Sequence, residues 1–576
     1  MILVFGGTTE GRKAAEVLEE AGKSYFYSTK TGEQNISLHY GIRIDGAMDK
    51  DAMHLFCVDH NIRLIVDAAH PFASMLHQTI GEVAKSLHLP VVRYERIYPP
   101  RDTDITWIDD YSQVPTDIHT LLATTGVQSI EHLKWLETKG VKVFYRILNR
   151  ESSIKLGHRQ GALDNQLCFY ENGDTIDVDA DAILLKESGL SGGFVEKVEA
   201  ARKKRMRIIA LKRPELSTFN SPLSTIVNGP HGLRRTVEKL LPEFYPLRSG
   251  LTTGTCATAA AIASTIKLTK GITPQEVPVL LPDGETIYVA VGYGDGYAYC
   301  TKEAGDDPDV TNGIEVRASV QLSSHFEIVG GKGVGRITLP GFDYPPGEAA
   351  INKAPREMMR NNIKENVRIT ISVPQGEEIA KRTFNPRLGI EGGISIIGVS
   401  GIVKPFSEEA FVESIRKCMM IAQASGAERV VINSGAKSEN FVRSLYPDLP
   451  RQAFVEYGNY IGETLKMADE LAIEKITLGV MLGKAVKLAA GNLDTHSRRT
   501  TMDKVFIQQM LHESGIAVDI SDITLARELW EKIPVSQIKT FASVVLSHCY
   551  RHCKPLFPSG ELTIFLIDDN GKIYAL

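Results

Sequence analysis

Cysteine is scarce in this sequence: seven in 576 residues, an odd and scattered set. That count excludes a disulfide framework and reads as reduced thiols, so the expected compartment is the cytoplasm. Neither sign of charge is in large excess. Sixty-five Lys and Arg against 70 Asp and Glu leave a net −5, which gives no electrostatic case for nucleic acid or an anionic membrane. No apolar run reaches the roughly 18 residues of a membrane span. The opening M-I-L-V-F-G-G lacks a basic segment before an apolar one, so no signal peptide is expected. What remains is an ordinary globular composition, 43% hydrophobic and 23% charged. The chain is long enough for three to four domains at about 150 residues each.

The first half alternates strands and helices. Ile2–Phe5 is a short apolar strand, Gly6-Gly7-Thr8-Thr9-Glu10-Gly11 a tight turn, and Arg12–Ala21 has helical apolar spacing. Strand, glycine turn and helix start in that order form a dinucleotide-binding arrangement, with phosphate expected at the helix N-terminus. Thr8 stands where the G-x-G-x-x-G fingerprint has its second glycine, so a plain βα turn is the other reading. Arg63–Asp67 is a strand, followed by A-A-H-P-F-A and a helix from about Met75 to Leu87. Asp67 and His70 therefore stand at the carboxyl end of a strand, where α/β folds place ligands. A helix cap and a buried, hydrogen-bonded histidine are the structural alternatives. Later strands end at Thr124-Thr125-Gly126, at Lys186-Glu187-Ser188-Gly189-Leu190-Ser191-Gly192-Gly193 and at Lys212-Arg213-Pro214. Lys186, Lys212 and Arg213 suit phosphates or carboxylates, or are solvated surface charge. The repeated glycine turns point to a cleft between two α/β lobes.

A second half opens after the proline-flanked gap Pro242–Pro246. Leu247–Ala263 reads L-R-S-G-L-T-T-G-T-C-A-T-A-A-A-I-A. The alanine run predicts a helix starting near Thr255 or Cys256, with Thr252, Thr253 and Thr255 clustered to cap it or to hold an anion. Val277–Leu281, Thr286–Gly292 and Tyr297–Lys302 read as strands joined by turns. The polar loop after them carries Asp306, Asp307 and Asp309 without the spacing of a calcium loop; it is a substrate-facing segment or a turn. Gly330–Gly335 is a hairpin turn or an anion nest, and Asn352–Arg356 precedes a helix from about Glu357 to Glu365. Gly389–Val403 is glycine-dense and apolar. Beyond it, a helix from Glu408 to about Gln423 and strands at Arg429–Ser434, Ala453–Tyr457 and Lys475–Met481 alternate as in a parallel sheet, which predicts a Rossmann-like lobe. Gly479, Gly483, Lys484, Lys487 and His496 gather at or after the last of these strands. His548 and His552 share a helical face, but Cys549 and Cys553 cannot easily complete a tetrahedral site beside them.

Both halves resemble known families. The G-G-T-T-E-G turn (6–11), D-A-A-H-P-F-A (67–73), L-A-T-T-G (122–126), K-E-S-G-x-x-G-G (186–193) and K-R-P (212–214) resemble precorrin-6A reductase over essentially the whole first half. The resemblance implies that a nicotinamide dinucleotide reduces one ring double bond of a corrin precursor. It implies cofactor binding near Gly6, Gly7, Thr8, Thr9, Gly11, Thr125 and Gly126. Gly161–Glu171 departs from the family, reading G-A-L-D-N-Q-L-C-F-Y-E where a G-P-F-type start is expected. The second half is similar to cobalt-precorrin-5B C1-methyltransferase through T-T-G-T-C-A (252–257), A-G-D-D-P-D-V-T-x-G (304–313), G-G-x-G-V-G (330–335), A-I-N-x-x-P-R (350–356), G-I-x-G-G-I-S-I-x-G (389–398), S-G-I-V (400–403), G-K-x-x-K-L-A-A-G (483–491) and T-H-S (495–497). That family moves the methyl of S-adenosylmethionine to ring carbon 1. The resemblance implies that Gly392, Gly393, Ser395, Gly398, Ser400 and Gly401, with Gly479, Gly483 and Lys484, cradle the cosubstrate. Val399 and Ser400 stand where a Thr-Thr pair is usual.

The expectation is therefore an α/β chain with three regions: a two-lobed Rossmann-like reductase over 1–245, split near 110–120, then an α+β domain over 246–382 and a Rossmann-like lobe over 383–576. Candidate catalytic residues are Asp67, His70, Asp306, Asp307 and His496. Candidate substrate contacts are Lys186, Ser188, Gly189, Thr252, Thr253, Thr255, Arg356 and Lys487. Cofactors are NADH or NADPH, with Arg12, Lys30 and Arg43 near the ribose positions, and S-adenosylmethionine. Methyl transfer depends mainly on positioning, so Cys256 is read as packing and not as a nucleophile. Cobalt belongs to the tetrapyrrole substrate, and no protein metal site is expected. No nucleic-acid or membrane partner is expected, and homo-oligomerisation is left open. The rival readings are a sensor of corrin synthesis without turnover, and a chain with one active half.

Overall fold

The computed structural model describes residues 1–576 except 33, 171–177, 216–221 and 497–499. Glu171 of the departing loop and Ser497 of the T-H-S string lie outside the described residues. The chain divides into two compact units. Unit 1 comprises Met1–Ser249 together with Pro278–Tyr288; unit 2 comprises Gly250–Val277 and Val289–Leu576. Among the described residues no helix is long and apolar enough to cross a membrane.

Unit 1 holds two six-stranded sheets. In chain order the strands are β1 (Ile2–Phe5), β2 (Tyr25–Thr29), β3 (Gly41–Asp45), β4 (Leu64–Asp67), β5 (Val91–Tyr94), β6 (Thr106–Ile108), β7 (Thr120–Ala123), β8 (Lys142–Leu148), β9 (Leu167–Tyr170), β10 (Ala182–Lys186), β11 (Arg207–Leu211) and β12 (Ser224–Val227). The first sheet runs β12-β5-β4-β1-β2-β3 and the second β6-β11-β10-β7-β8-β9, with every neighbouring pair parallel. Central strands such as I-L-V-F and L-I-V-D are buried at every residue, because helices cover both faces of a parallel sheet. Each sheet reverses its winding once, between β1 and β4 in the first and between β7 and β10 in the second. Those reversals open crevices at the carboxyl ends of the strands. The helices that matter to the first sheet are α1 (Thr9–Glu19), α2 (Ser74–Leu87) and α3 (Pro230–Leu240). A paired hairpin, β13 (Glu276–Leu280) and β14 (Thr286–Ala290), has its tip in unit 1.

Unit 2 is built around α4 (Thr253–Lys270), whose first thirteen residues are all buried. A helix apolar on every side must be enclosed, and α4 packs on β16 and β17 of a five-stranded sheet. That sheet contains β15 (Gly292–Gly294), β16 (Tyr297–Thr301), β17 (Glu315–Leu322), β18 (Glu327–Gly330) and β19 (Val367–Ser372), in the order β15-β16-β17-β19-β18. A second five-stranded sheet follows: β20 (Val430–Asn433), β21 (Phe454–Glu456), β22 (Lys475–Met481), β23 (Glu561–Ile567) and β24 (Ile573–Tyr574), in the order β21-β20-β22-β23-β24. Its first four strands are parallel, and its winding reverses between β20 and β22. Helices α5 (Ala436–Arg443), α6 (Leu482–Ala489) and α7 (Ile538–Cys553) flank it.

Three local expectations are corrected. Helix α4 starts at Thr253, ahead of the alanines, because the Thr252 hydroxyl accepts the Thr255 amide at 3.1 Å and caps the first turn. The helix expected from Glu357 begins at Lys353, since Pro355 falls in its first turn, where a missing N–H costs nothing. Gly330–Gly335 is neither a hairpin nor an open nest: Gly333–Val334 pairs in parallel with Gly393–Ile394. Backbone approaches backbone so closely there that a Cβ on Gly393 would collide with Gly333.

Candidate active sites

The crevice of the first sheet is formed by the turn after β1 and the loop after β4. A side chain at Gly6 would run into the Tyr27 ring, and one at Gly11 would stand 2.7 Å from the Gly6 Cα, so both glycines bring the turn tightly onto α1. Gly7 has φ +89° and no atom within 4 Å of where a Cβ would lie. Thr8 caps α1, its hydroxyl accepting from Gly11 at 3.0 Å and donating to the Ala68 carbonyl at 2.7 Å. One hydroxyl thus ties the β1 turn to the β4 loop. Gln34 crosses the turn, accepting from the Gly7 amide at 3.1 Å and donating to the Thr8 carbonyl at 2.9 Å.

Asp67 is fully buried and its oxygens are already bonded. It accepts from Arg93 at 2.9 Å, from the Ala69 amide at 3.1 Å and from His77 at 2.6 Å. His77 donates its other ring N–H to the His70 carbonyl at 3.0 Å. Asp67 is thereby linked through His77 to the loop that carries His70. Burial is the largest influence on Asp67, yet His77 and Arg93 together outweigh it and hold the carboxyl below its ordinary range.

His70 faces a different environment. Its Nδ1 accepts from the Phe72 amide at 3.2 Å, which leaves the ring proton on Nε2. Burial, followed by the positive charges of Arg96 and Lys186, pushes its pKa down to about 3. His70 is thus a neutral N–H donor across the physiological range. Lys186, at the end of β10, lies 5.1 Å over the Phe72 ring, and burial lowers its pKa. The crevices of the two sheets of unit 1 consequently share His70, Phe72 and Lys186.

Two charged residues that sequence reasoning passed over complete this region. Arg96 pairs with Glu10 at 2.8 Å and donates to the Ser188 carbonyl at 2.8 Å; both side chains are at least nine-tenths buried. Ser191 also donates to Glu10. Gly189 sits against Ile97, where a Cβ would be 2.9 Å from the carbonyl. Ser188 and Gly189 are therefore fixed by the loop's own packing. Glu10 was visible within the G-G-T-T-E-G string, but its partner lies 86 residues away. In the second sheet, Thr125 shares a 2.5 Å hydroxyl contact with Ser129, and Gly126 has open space at its Cβ position. Lys212 and Arg213 pair with Asp109 and Glu187, both at 2.9 Å.

In unit 2 the threonines of α4 are spent on backbone. Thr253 donates toward the carbonyls of Ser395 and Ile397 and accepts from the Ile397 amide at 2.8 Å; Thr255 donates to the Gly401 carbonyl at 2.6 Å. All three cluster hydroxyls belong to buried residues. Buried and bonded in this way, Thr252, Thr253 and Thr255 stitch the glycine-rich segment to the helix start. Gly398 lies directly against Thr252, and the Ser400 hydroxyl stays local, bonding Ile402. Gly392 opens on space, with nothing within 4 Å of its Cβ position. Asp307 accepts the Phe406 amide at 3.1 Å, while the buried cation Lys302 pairs with Asp309 at 2.6 Å. Arg356 donates to the Ile351 carbonyl at 2.9 Å and lines an open pocket of about 290 Å³ with Phe326, Ile328, Glu357 and Arg360.

The carboxyl ends of β20, β21 and β22 converge. Asn433 is fully buried and accepts the Gly435 amide at 3.2 Å, shaping an N-S-G turn in which Gly435 has φ +151°. Gly479 packs on Val442, and Gly483 opens on empty space. Lys484 donates to the Gly458 carbonyl, lies 5.5 Å from the Tyr457 ring, and is lowered by burial to a pKa of about 8. Lys487 reaches the Thr495 carbonyl at 3.3 Å, and the His496 amide donates to Asp494 at 3.0 Å. The structure thus gathers Gly483, Lys484, Lys487 and His496 around the 456–459 segment. Arg387 pairs with Glu439 at 2.9 Å nearby.

Among the described residues one group, His231, Asp283 and Glu285, brings possible metal-ligand atoms within 4.8 Å of one another. Both Glu285 oxygens accept backbone amides, from His231 at 3.0 Å and from Gly232. That makes it the cap of α3. His548 is bonded to Glu513 at 2.7 Å and does not gather with the cysteines of α7.

Comparison with known families matches residues 1–228 to Precorrin-6x reductase CbiJ/CobK and residues 242–405 to CbiD. A cobalt-precorrin-5B C(1)-methyltransferase from Prosthecochloris aestuarii is 42% identical over 345 residues, covering 56% of this chain and 94% of the relative. Its counterpart from Geobacillus sp. is 39% identical over 323 residues, covering 53% and 88%. A solved CobK precorrin-6A reductase aligns with 42% of this chain and 96% of its own at 17% identity, with a TM-score of 0.34.

Proposed function

We infer, from a chain that belongs to the cobalt-precorrin-5B C(1)-methyltransferase family and carries a precorrin-6x reductase region ahead of it, a bifunctional enzyme that methylates cobalt-precorrin-5B at C1 and then reduces the product. It is an enzyme of cobalamin biosynthesis with both a methyltransferase and a reductase activity. The finer reading assigns S-adenosylmethionine as methyl donor, NADH or NADPH as hydride source, and cobalt-precorrin-6A as the intermediate that passes from one reaction to the next.

The crevice at β1 and β4 fits a dinucleotide, because Gly7 leaves uncovered space at the strand end and Gly126 does the same in the second sheet. When bound there, the cofactor supplies the hydride. The protein's share is orientation and charge. His70 offers a neutral N–H to an oxygen or nitrogen of the macrocycle, and Lys186 offers a cation to its carboxylates. Asp67, through His77, keeps the His70 loop in place. In unit 2 the open Gly483 and the partly desolvated Lys484 fit a cosubstrate at the sheet's reversal. This sheet is the Rossmann-like lobe of the reading, and in-line methyl transfer asks it mainly for alignment.

The observation that carries the reductase assignment is the shared His70–Phe72–Lys186 cluster, which draws a strand-end loop from each sheet of unit 1 onto one place. The test supplies purified chain with cobalt-precorrin-5B and S-adenosylmethionine, then NADH or NADPH. Methylated product without nicotinamide oxidation would refute the reductase half. Nicotinamide oxidation that needs no prior methylation would refute the order.

A further inference from the structure

Glu456 ends β21, the strand that follows the N-S-G turn of β20 by one helix. It is half-buried, and no hydrogen bond or ion pair to its carboxylate is found among the described residues. Its Oε1 is 3.5 Å from where a Cβ on Gly435 would lie, so carboxylate and glycine turn face one another across the mouth of the sheet. Arg387 and Lys484 lie near enough to favour its charge, Glu439 opposes it, and burial dominates, raising its pKa. Half-buried and unclaimed by a protein donor, the carboxylate is partly desolvated yet open to a hydroxyl arriving in the crevice. The order strand, glycine turn, helix, strand, acid, with the acid about 20 residues past the turn, places a carboxylate where a nucleoside's sugar hydroxyls arrive. The crevice at this sheet's reversal opens between Ser434-Gly435 and Met481–Gly483, beside Glu456.

We propose that the Glu456 carboxylate accepts hydrogen bonds from the ribose 2′- and 3′-hydroxyls of a nucleoside cosubstrate, whose chain is carried over the Gly435 turn toward Gly483. The inference rests on the assignment of S-adenosylmethionine to this sheet and adds the group that selects its sugar. It also moves the centre of the cosubstrate site from the packed 393–401 segment to the β20–β21 strand ends.

Titration calorimetry on the full chain with S-adenosylhomocysteine and with its 2′-deoxy analogue tests the proposal. Wild type should bind the ribose form about tenfold or more tightly than the deoxy form, the scale of one hydrogen bond to a charged acceptor. Glu456→Ala should bind both forms equally weakly, and Glu456→Gln should restore part of the preference, with melting curves of both variants matching wild type. Discrimination retained in Glu456→Ala, or lost together with the fold in both variants, overturns the role of Glu456. Wild type that binds neither form overturns the underlying assignment of this sheet instead.

Discussion

Glu285 allows a worked prediction. It is 1% exposed, at the tip of the β13–β14 hairpin, and its two oxygens accept the first free amides of α3. A Cβ on Gly229 would collide with the same carboxylate, so the helix start is seated directly on it. Glu285→Ala removes both acceptors. At about 1 kcal/mol for each lost bond, comparable to losing a helix N-cap, the cost is about 2 kcal/mol. For a unit of this size that is a fall of about 4–8 °C in the unfolding transition. The pH dependence has a definite sign. Burial comes first and raises the carboxyl to about 7, with Asp283 adding to it, while the two amides and Lys13 oppose. Its folded pKa thus exceeds the ordinary value near 4.3. The linked stability is complete below that value and is lost as pH rises through about 7. Glu285→Gln carries no titrating proton, so its melting temperature should climb relative to wild type between pH 5 and pH 8. Calorimetric melts of the full chain read both effects. A Gln-minus-wild-type difference that stays flat over that range, or an Ala variant that melts with wild type, would refute the reasoning.

His70→Ala should abolish nicotinamide oxidation while leaving methyl transfer intact, read by following the two reactions separately in one sample. Asp67→Ala removes the acceptor of His77 and one of the two carboxylates paired with the buried Arg93, leaving Glu95 at 3.1 Å, and should cost about 2–3 kcal/mol in urea denaturation together with the reductase activity. Thr255→Val removes one of the two donors to the buried Gly401 carbonyl and leaves the Thr252 amide at 3.1 Å, so methyltransferase stability should fall by about 0.5–1 kcal/mol with little change in substrate KM; a large KM effect without a stability effect would favour its reading as a substrate contact.

The architecture of unit 1 was legible in the sequence because its signals are local. Short apolar runs ending in glycine are parallel strands and their turns, and Lys142–Leu148 occurs as read. The place of Gly6, Gly7 and His70 at a strand's carboxyl end follows from that pattern. The alanine run of α4 was also legible, and Thr252 stood among the capping candidates, but the start was placed two to three residues late because it was read from the alanines and three neighbouring threonines offered the same cap. The partners of buried charges were hidden for a different reason. Asp67 meets Arg93, and Glu10 meets Arg96, through the return of the chain across a sheet. No periodicity reports which strand comes back beside which. Glu456 was missed although its offset from Gly435 was available, because the N-S-G turn has a single glycine and stands outside the better-known strings.

The hairpin tip carries a consequence for dividing the chain. Residues 278–288 are encoded within the methyltransferase stretch yet belong to the reductase's compact unit. A break in the chain at Ser249 would part the α3 amides of His231 and Gly232 from the Glu285 carboxylate that accepts them. A cut that separates the two enzymes there removes a helix cap along with the link between them.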